Sequence, residues 1–163
     1  MTRFAQLAQA VLTRELELHR SYAGDWGITA AELEHGRPTL TTRAYTDFLL
    51  RVAALGDYGE LVAALLPCMW GYHELATQLA GRKRPNSSLY AGWIDAYSDA
   101  EFGELAAWCR TLVDEASESS SRPRMLDAFL SSSRYELAFW DASWHAEPPL
   151  LGPDTTPGSA PAV

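Results

Sequence analysis

The apolar residues of this chain recur at helical spacing along almost its whole length, and that pattern constrains its fold more than any other feature. In the first segment Phe4, Leu7, Ala8, Val11, Leu12 and Leu16 follow one another at intervals of one helical face. No block alternates apolar and polar residues over the length of a strand. A period near 3.6 without a period of two predicts an all-α fold. At 163 residues one core is the default, because a chain of this size buries about 70% of the surface it exposes when unfolded.

Capping residues and glycines punctuate the pattern. A first helix is expected from about Thr2 to Tyr22, ending at Gly24. Thr29 with Glu32 reads as a capping box opening a short turn of helix up to His35 and Gly36. The next helix is expected from Thr41 or Thr42 to Leu55, with Gly56 ending it and Asp57 with Glu60 capping a fourth that carries Leu61, Leu65, Cys68, Tyr72, Leu75 and Leu79. Inside it Pro67 lacks an amide hydrogen and presses on the carbonyl of Ala63, so a bend is predicted just before Cys68, with a freed backbone acceptor beside the thiol. A basic loop from Gly81 to Ser88, a short helix from Tyr90 to Tyr97, a helix opened at Ser98 and Asp99 and running to about Ala116, and a long helix from Pro123 to Glu147 complete a helical domain over 1–147. From Pro148 the run of Pro, Gly, Thr and Ser to residue 163 has too little apolar material for a core and reads as a disordered tail.

Charge narrows the function classes. A net charge of −8, from 13 basic and 21 acidic residues without a basic stripe, argues against nucleic acid as a partner. Charged residues make up only 21% of the chain, so some apolar surface is expected to face a partner subunit. No run of about 18 apolar residues marks a membrane span, and the N-terminus lacks the pattern of a signal peptide, so a cytoplasmic protein without membrane association is expected. Cys68 and Cys109 show no metal-binding spacing and are expected to be free thiols.

Two residues carry candidate chemistry. Cys68 is either a small core residue or a nucleophile, with Tyr72 one helical turn later on the same face. Glu136 shares a helical face with Phe129, Ser132, Ser133, Phe139 and Trp140, where an ionised carboxylate is costly unless paired, hydrogen-bonded or protonated. Burial there would move its pKa towards neutrality and suit acid–base work; the alternative is a carboxylate held by the serines or by neighbours such as Arg134. Tyr45, Trp70, Tyr90, Trp93 and Tyr97 supply further ring faces, individually explicable as core. His19 and His73 stand alone with respect to carboxylate spacing, so neither a metal site nor any cofactor is expected.

Three stretches, Gly56 to Leu75, Tyr90 to Tyr97 and Ser132 to Trp140, in that order and spacing, closely resemble the TenA family, the thiaminase II or aminopyrimidine aminohydrolase group. The resemblance covers about Phe4 to Glu147. It implies a haem-oxygenase-like helical bundle, N-terminally shortened, and a thiamin-salvage hydrolase of the thiaminase II type that converts aminopyrimidine breakdown products of thiamin to hydroxymethylpyrimidine. By the same resemblance Cys68 is the nucleophile that adds to the pyrimidine ring, Glu136 is the acid, and Tyr45, Tyr72 and Tyr97 line the substrate pocket. A homo-oligomer, a tetramer by resemblance, is implied as well. The family's aminopyrimidine-binding aspartate falls in helices preceding the segment at Met1, and neither Asp25 nor Asp47 matches it. The competing reading is a truncated, non-catalytic member with a pyrimidine-binding or regulatory role, and enzymatic activity is expected provided the pocket is complete.

Overall fold

The computed structural model describes residues 2–10, 12–13 and 16–150. Among the described residues the regular structure is helical, and the one β feature is an isolated antiparallel bridge between Thr39 and Pro149. The chain divides into two compact units, Met1–Arg37 and Pro38–Val163.

The first unit holds α1 (Thr2–Ala10), α2 (Leu16–Asp25) and α3 (Ala30–Glu34). The helix expected up to Tyr22 is helical at every described position, with 12–13 in π-helical geometry and the Thr13 hydroxyl donating to the Gln9 carbonyl at 2.8 Å. Helix α2 does not end at Gly24. It runs to Asp25 and closes in a Schellman arrangement, with Ile28 N–H on the Ala23 carbonyl and Gly27 N–H on the Gly24 carbonyl, both at 2.9 Å. The residue that turns the chain is Gly27, at φ 76°, a conformation without penalty only for glycine. The predicted capping box then opens α3: Thr29 N–H donates to Glu32 at 2.9 Å and Glu32 N–H returns to the Thr29 hydroxyl at 3.2 Å.

The second unit runs through α4 (Leu40–Leu55), α5 (Tyr58–Leu66), a π-turn (Pro67–Gly71), α6 (Tyr72–Ala80), α7 (Ser88–Ser98), α8 (Ala100–Ala116) and α9 (Arg122–Trp144). Thr39, not Thr41 or Thr42, caps α4, its hydroxyl accepting from Thr42 N–H at 3.1 Å. Asp57 and Glu60 form the predicted box at α5 with bonds of 3.0 and 2.9 Å. Small residues then let α9 lie close along α5. Ala63 and Ala64 are buried, and a Cβ added to Gly59 would stand 2.5 Å from the Ser120 side chain and 2.9 Å from the Met125 sulfur.

Helix α9 stops at Trp144, three residues before the expected end, in a second Schellman arrangement whose left-handed position is Ala146 at φ 50°. Glu147 N–H reaches the Ala142 carbonyl at 2.9 Å. Within the stretch expected as a tail from Pro148, Pro149 bridges to Thr39 and Leu150 N–H donates to the Pro38 carbonyl at 3.0 Å. The remainder of that expected tail, 151–163, lies outside the described residues.

Candidate active site

Pro67 shapes the helix that carries the thiol. Having no amide hydrogen and a ring that crowds the preceding turn, it is accommodated by widening the helix into a π-turn over Pro67–Gly71, a local insertion that in α-helices often marks functional positions. The bend expected before Cys68 takes this form. Beside the half-buried thiol is a backbone acceptor, the Leu65 carbonyl, to which Sγ donates at 3.0 Å.

Glu136 is held by two phenols. Tyr45, from α4, donates to Oε1 at 2.7 Å, and Tyr72, from α6, donates to Oε2 at 3.2 Å. Behind Tyr45 stands Ser132, the fully buried serine four residues before Glu136 on α9, with its hydroxyl 3.0 Å from the Tyr45 oxygen and donating to the Ala64 carbonyl at 2.6 Å. Three helices thus converge on one carboxylate. Ser132 reaches it only through Tyr45, and Arg134 is exposed on α9, so neither of the partners weighed from the sequence alone describes the arrangement.

Both phenols are kept protonated. Burial is the main cause for Tyr45, opposed by Ser132 and reinforced by the bond to Glu136 and by nearby Cys68. For Tyr72 burial again leads, followed by Glu136, Tyr97 and Cys68. Each hydroxyl is driven above the ordinary phenol range and remains a donor to the carboxylate. Cys68 thus acts electrostatically on both phenols.

Tyr97 joins through ring contacts. Its centroid lies 5.3 Å from that of Tyr72 and 4.9 Å from that of Trp93, while Trp140 stands 5.7 Å from Tyr72 and meets Trp93 edge to face at 5.6 Å. Such ring pairs contribute about 0.5–1.5 kcal/mol each beyond their area and fix the orientation of the Tyr72 hydroxyl. His73 braces this wall from behind: its Nδ1 is 2.9 Å from the Tyr97 carbonyl oxygen. Gly103 makes room for the imidazole, since a Cβ there would lie 2.9 Å from Cε1. Among the described residues no group of three His, Cys, Asp or Glu side chains is arranged to hold a metal ion, and no helix is long and apolar enough to cross a membrane.

A groove of about 240 Å³ adjoins the carboxylate, between the π-turn and α9. Glu136 and Tyr72 lie on its wall together with Trp70, Gly71, Phe129 and Trp140; Cys68 does not. Of the residues singled out in sequence, Tyr45 and Tyr72 each donate to Glu136, Cys68 acts electrostatically on the two phenols, and Tyr97 packs on Tyr72. Ser132 and Trp93 also build the site. Ser132 was recognisable only as a polar residue on the Glu136 face, and Trp93 only as one aromatic residue among several.

Comparison with known proteins agrees with this architecture. The model of the TENA/THI-4/PQQC family matches residues 1–146. The chain is 40% identical over 151 residues to the aminopyrimidine aminohydrolase of Halalkalibacterium halodurans, covering 89% of this chain and 66% of that protein. It is 32% identical over 152 residues to the aminopyrimidine aminohydrolase of Helicobacter pylori, covering 90% and 69% respectively. A TenA homologue from P. horikoshii OT3 superposes with a TM-score of 0.80 at 30% identity, over 88% of this chain and 68% of that one. The chain therefore spans about two thirds of the length of these relatives, and it belongs to the TENA/THI-4/PQQC family.

Proposed function

We propose that this chain is an aminopyrimidine hydrolase of thiamin salvage, replacing the amine on the exocyclic methylene of a pyrimidine with hydroxyl. The observation that carries the reading is the carboxylate of Glu136, clamped by the Tyr45 and Tyr72 hydroxyls at 2.7 and 3.2 Å, two phenols on which Cys68 acts electrostatically. Relatives bearing the name aminopyrimidine aminohydrolase, at 40% and 32% identity, support it.

Cys68 acts as the nucleophile. Its sulfur, as thiolate, adds to the pyrimidine ring. The bond between methylene carbon and amine nitrogen then breaks, the electron pair leaves with nitrogen, and the amine takes a proton from the Glu136 carboxyl. Water adds at the methylene and returns a proton to the Glu136 carboxylate, and departure of sulfur restores the aromatic ring. The net change is one water consumed and one amine released. Tyr45 and Tyr72 keep the carboxylate oriented through both proton transfers, and Tyr97 offers a ring face to the substrate. The same reading takes the protein as a cytoplasmic homo-oligomer, a setting compatible with the free thiols of Cys68 and Cys109.

The test is ammonia release from aminomethyl-aminopyrimidine by the purified 163-residue chain, with Cys68→Ser as control and size-exclusion elution recorded alongside. Turnover that disappears in Cys68→Ser is expected, as is elution larger than a monomer. An equally active serine variant would remove Cys68 from the mechanism. Binding of hydroxymethylpyrimidine without any turnover would point to a non-catalytic pyrimidine-binding protein.

A further inference from the structure

Ser132 places its only proton outside its own helix. Ser133 and Ser143, also on α9, bond back to the carbonyls four residues earlier, those of Phe129 and Phe139, as a serine inside a helix commonly does. The fully buried Ser132 hydroxyl donates instead across to the Ala64 carbonyl of α5 at 2.6 Å. A carbonyl has no hydrogen to offer, so this contact commits the serine proton, and towards Tyr45, 3.0 Å away, the serine oxygen acts as acceptor. Tyr45 has a single proton as well. With Glu136 ionised, that proton goes to Oε1 at 2.7 Å, and the 3.0 Å contact has none of its own. Three oxygen contacts in a row, from Ala64 through Ser132 and Tyr45 to Glu136, then share two protons.

We propose that Ser132 is a positioning residue that takes the Tyr45 proton whenever Glu136 carries its own, so that Tyr45 reverses from donor to acceptor as the carboxyl is protonated; its place in turnover rests on the hydrolase reading above. In the protonated stage Glu136 donates to Tyr45, Tyr45 to Ser132, and Ser132 keeps its bond to Ala64. When Glu136 gives its proton to the departing amine, Tyr45 turns back to the carboxylate, and no other proton leaves the chain. The proton returned by water reverses the turn. Tyr72 donates to Oε2, the oxygen outside the chain, at both stages. The Tyr45 ring stays in place, stacked on Tyr135 at 5.5 Å and 9° while Tyr135 lies 5.2 Å from Phe48, so the reversal is a rotation of the O–H hydrogen about the C–O bond. The other titratable groups acting on the two phenols, Cys68 on the π-turn and Tyr97 on α7, are not links in the chain. Without the serine acceptor, Tyr45 has no oxygen for its proton except the carboxyl that is itself donating, and the protonated stage is disfavoured.

The pH profile of kcat/KM for the aminomethyl-aminopyrimidine tests this. Its decline above the optimum reports loss of the proton from the general acid. In Ser132→Ala that decline is expected at a pH lower by about 0.5–1 unit, the size of one neutral hydrogen bond, with the limb below the optimum unmoved. Ser132→Cys, whose sulfur is a weak acceptor, is expected to move the same limb in the same direction and guards against a misfolded alanine variant. Adding Ser132→Ala to Tyr45→Phe should move the limb no further, whereas a serine that merely supports the fold would act in both backgrounds. An unmoved limb in both Ser132 variants, or an equal shift with and without the Tyr45 hydroxyl, overturns the proposal. Should wild type show no turnover, the hydrolase reading fails, and the NMR resonance of the Tyr45 Cζ carbon, assigned by its loss in Tyr45→Phe, decides the switch on its own. A step in that resonance with pH whose midpoint falls in Ser132→Ala sustains it. No step in wild type, or a midpoint that the substitution leaves in place, removes it.

Discussion

Glu136 is served by two hydroxyls of unequal reach, and the difference ranks their importance. The 2.7 Å bond from Tyr45 lies in the range of short, charge-assisted O–H···O⁻ contacts, whereas the 3.2 Å bond from Tyr72 lies beyond it. Tyr45→Phe is therefore expected to lower kcat/KM more than Tyr72→Phe, by roughly tenfold or more, given about 1.5–3 kcal/mol for a hydrogen bond to a charged group. Equal losses in the two variants would contradict the ranking. Glu136→Gln keeps the shape and removes the transferable proton, and kcat is expected to fall by about 10²- to 10⁴-fold, the usual contribution of a general acid, with circular dichroism unchanged. At this scale the sequence revealed only what is local. Cys68 and Tyr72 are one turn apart on a single helix, and Ser132 and Glu136 likewise. Tyr45, by contrast, lies 87 residues from Ser132 and 91 from Glu136, and no helical periodicity joins them; its place in the pocket was legible only through family resemblance.

Helix ends divide in the same manner. The boxes at Thr29/Glu32 and Asp57/Glu60 were readable because each is closed by residues three positions apart. The start of α4 was not, since Thr39, Thr41 and Thr42 are all chemically competent caps and packing selects the first. The end of α9 escaped because its left-handed residue is Ala146 rather than glycine. A single Cβ in that region costs about 1–2 kcal/mol, and glycine's extra unfolded-state entropy returns about 0.5–1 kcal/mol of it. Ala146→Gly is accordingly expected to stabilise the protein by about 0.5–1 kcal/mol, read as a rise in urea midpoint. The opposite change at the contact of α5 with α9 should be harmful. Gly59→Ala drives a methyl group to 2.5 Å from Ser120 and 2.9 Å from Met125, and overpacking of this kind costs about 1–3 kcal/mol. A neutral Gly59→Ala would show that α9 shifts to make room.

Across the molecule, the all-α class followed from periodicity, while the division into units at Arg37 and Pro38 had no marker in the sequence. On α9, Leu126, Leu130, Leu137 and Trp144 are exposed. Acid should weaken the whole fold in one direction. Glu32 is held below the usual carboxylate range chiefly by the Thr29 backbone N–H, Asp57 by the Glu60 backbone N–H, Asp95 by the Arg84 guanidinium and Glu147 by the Thr39 hydroxyl. A carboxylate with a lowered native pKa contributes stability above its unfolded pKa and loses it as pH falls through the native value. The urea midpoint is thus expected to hold down to about pH 4.5 and to decline below the unfolded carboxylate values of about 3.9–4.3; a midpoint that rises on acidification would show these contacts to be unimportant. The π-turn at Pro67–Gly71 has a consequence for reading kinship. A π-turn holds one residue more than the α-turn it replaces, and it absorbs that residue without rotating the helix on either side. A homologue lacking one residue there can keep both flanking faces in phase, so an alignment gap inside this helix, ordinarily a sign of error, is physically admissible.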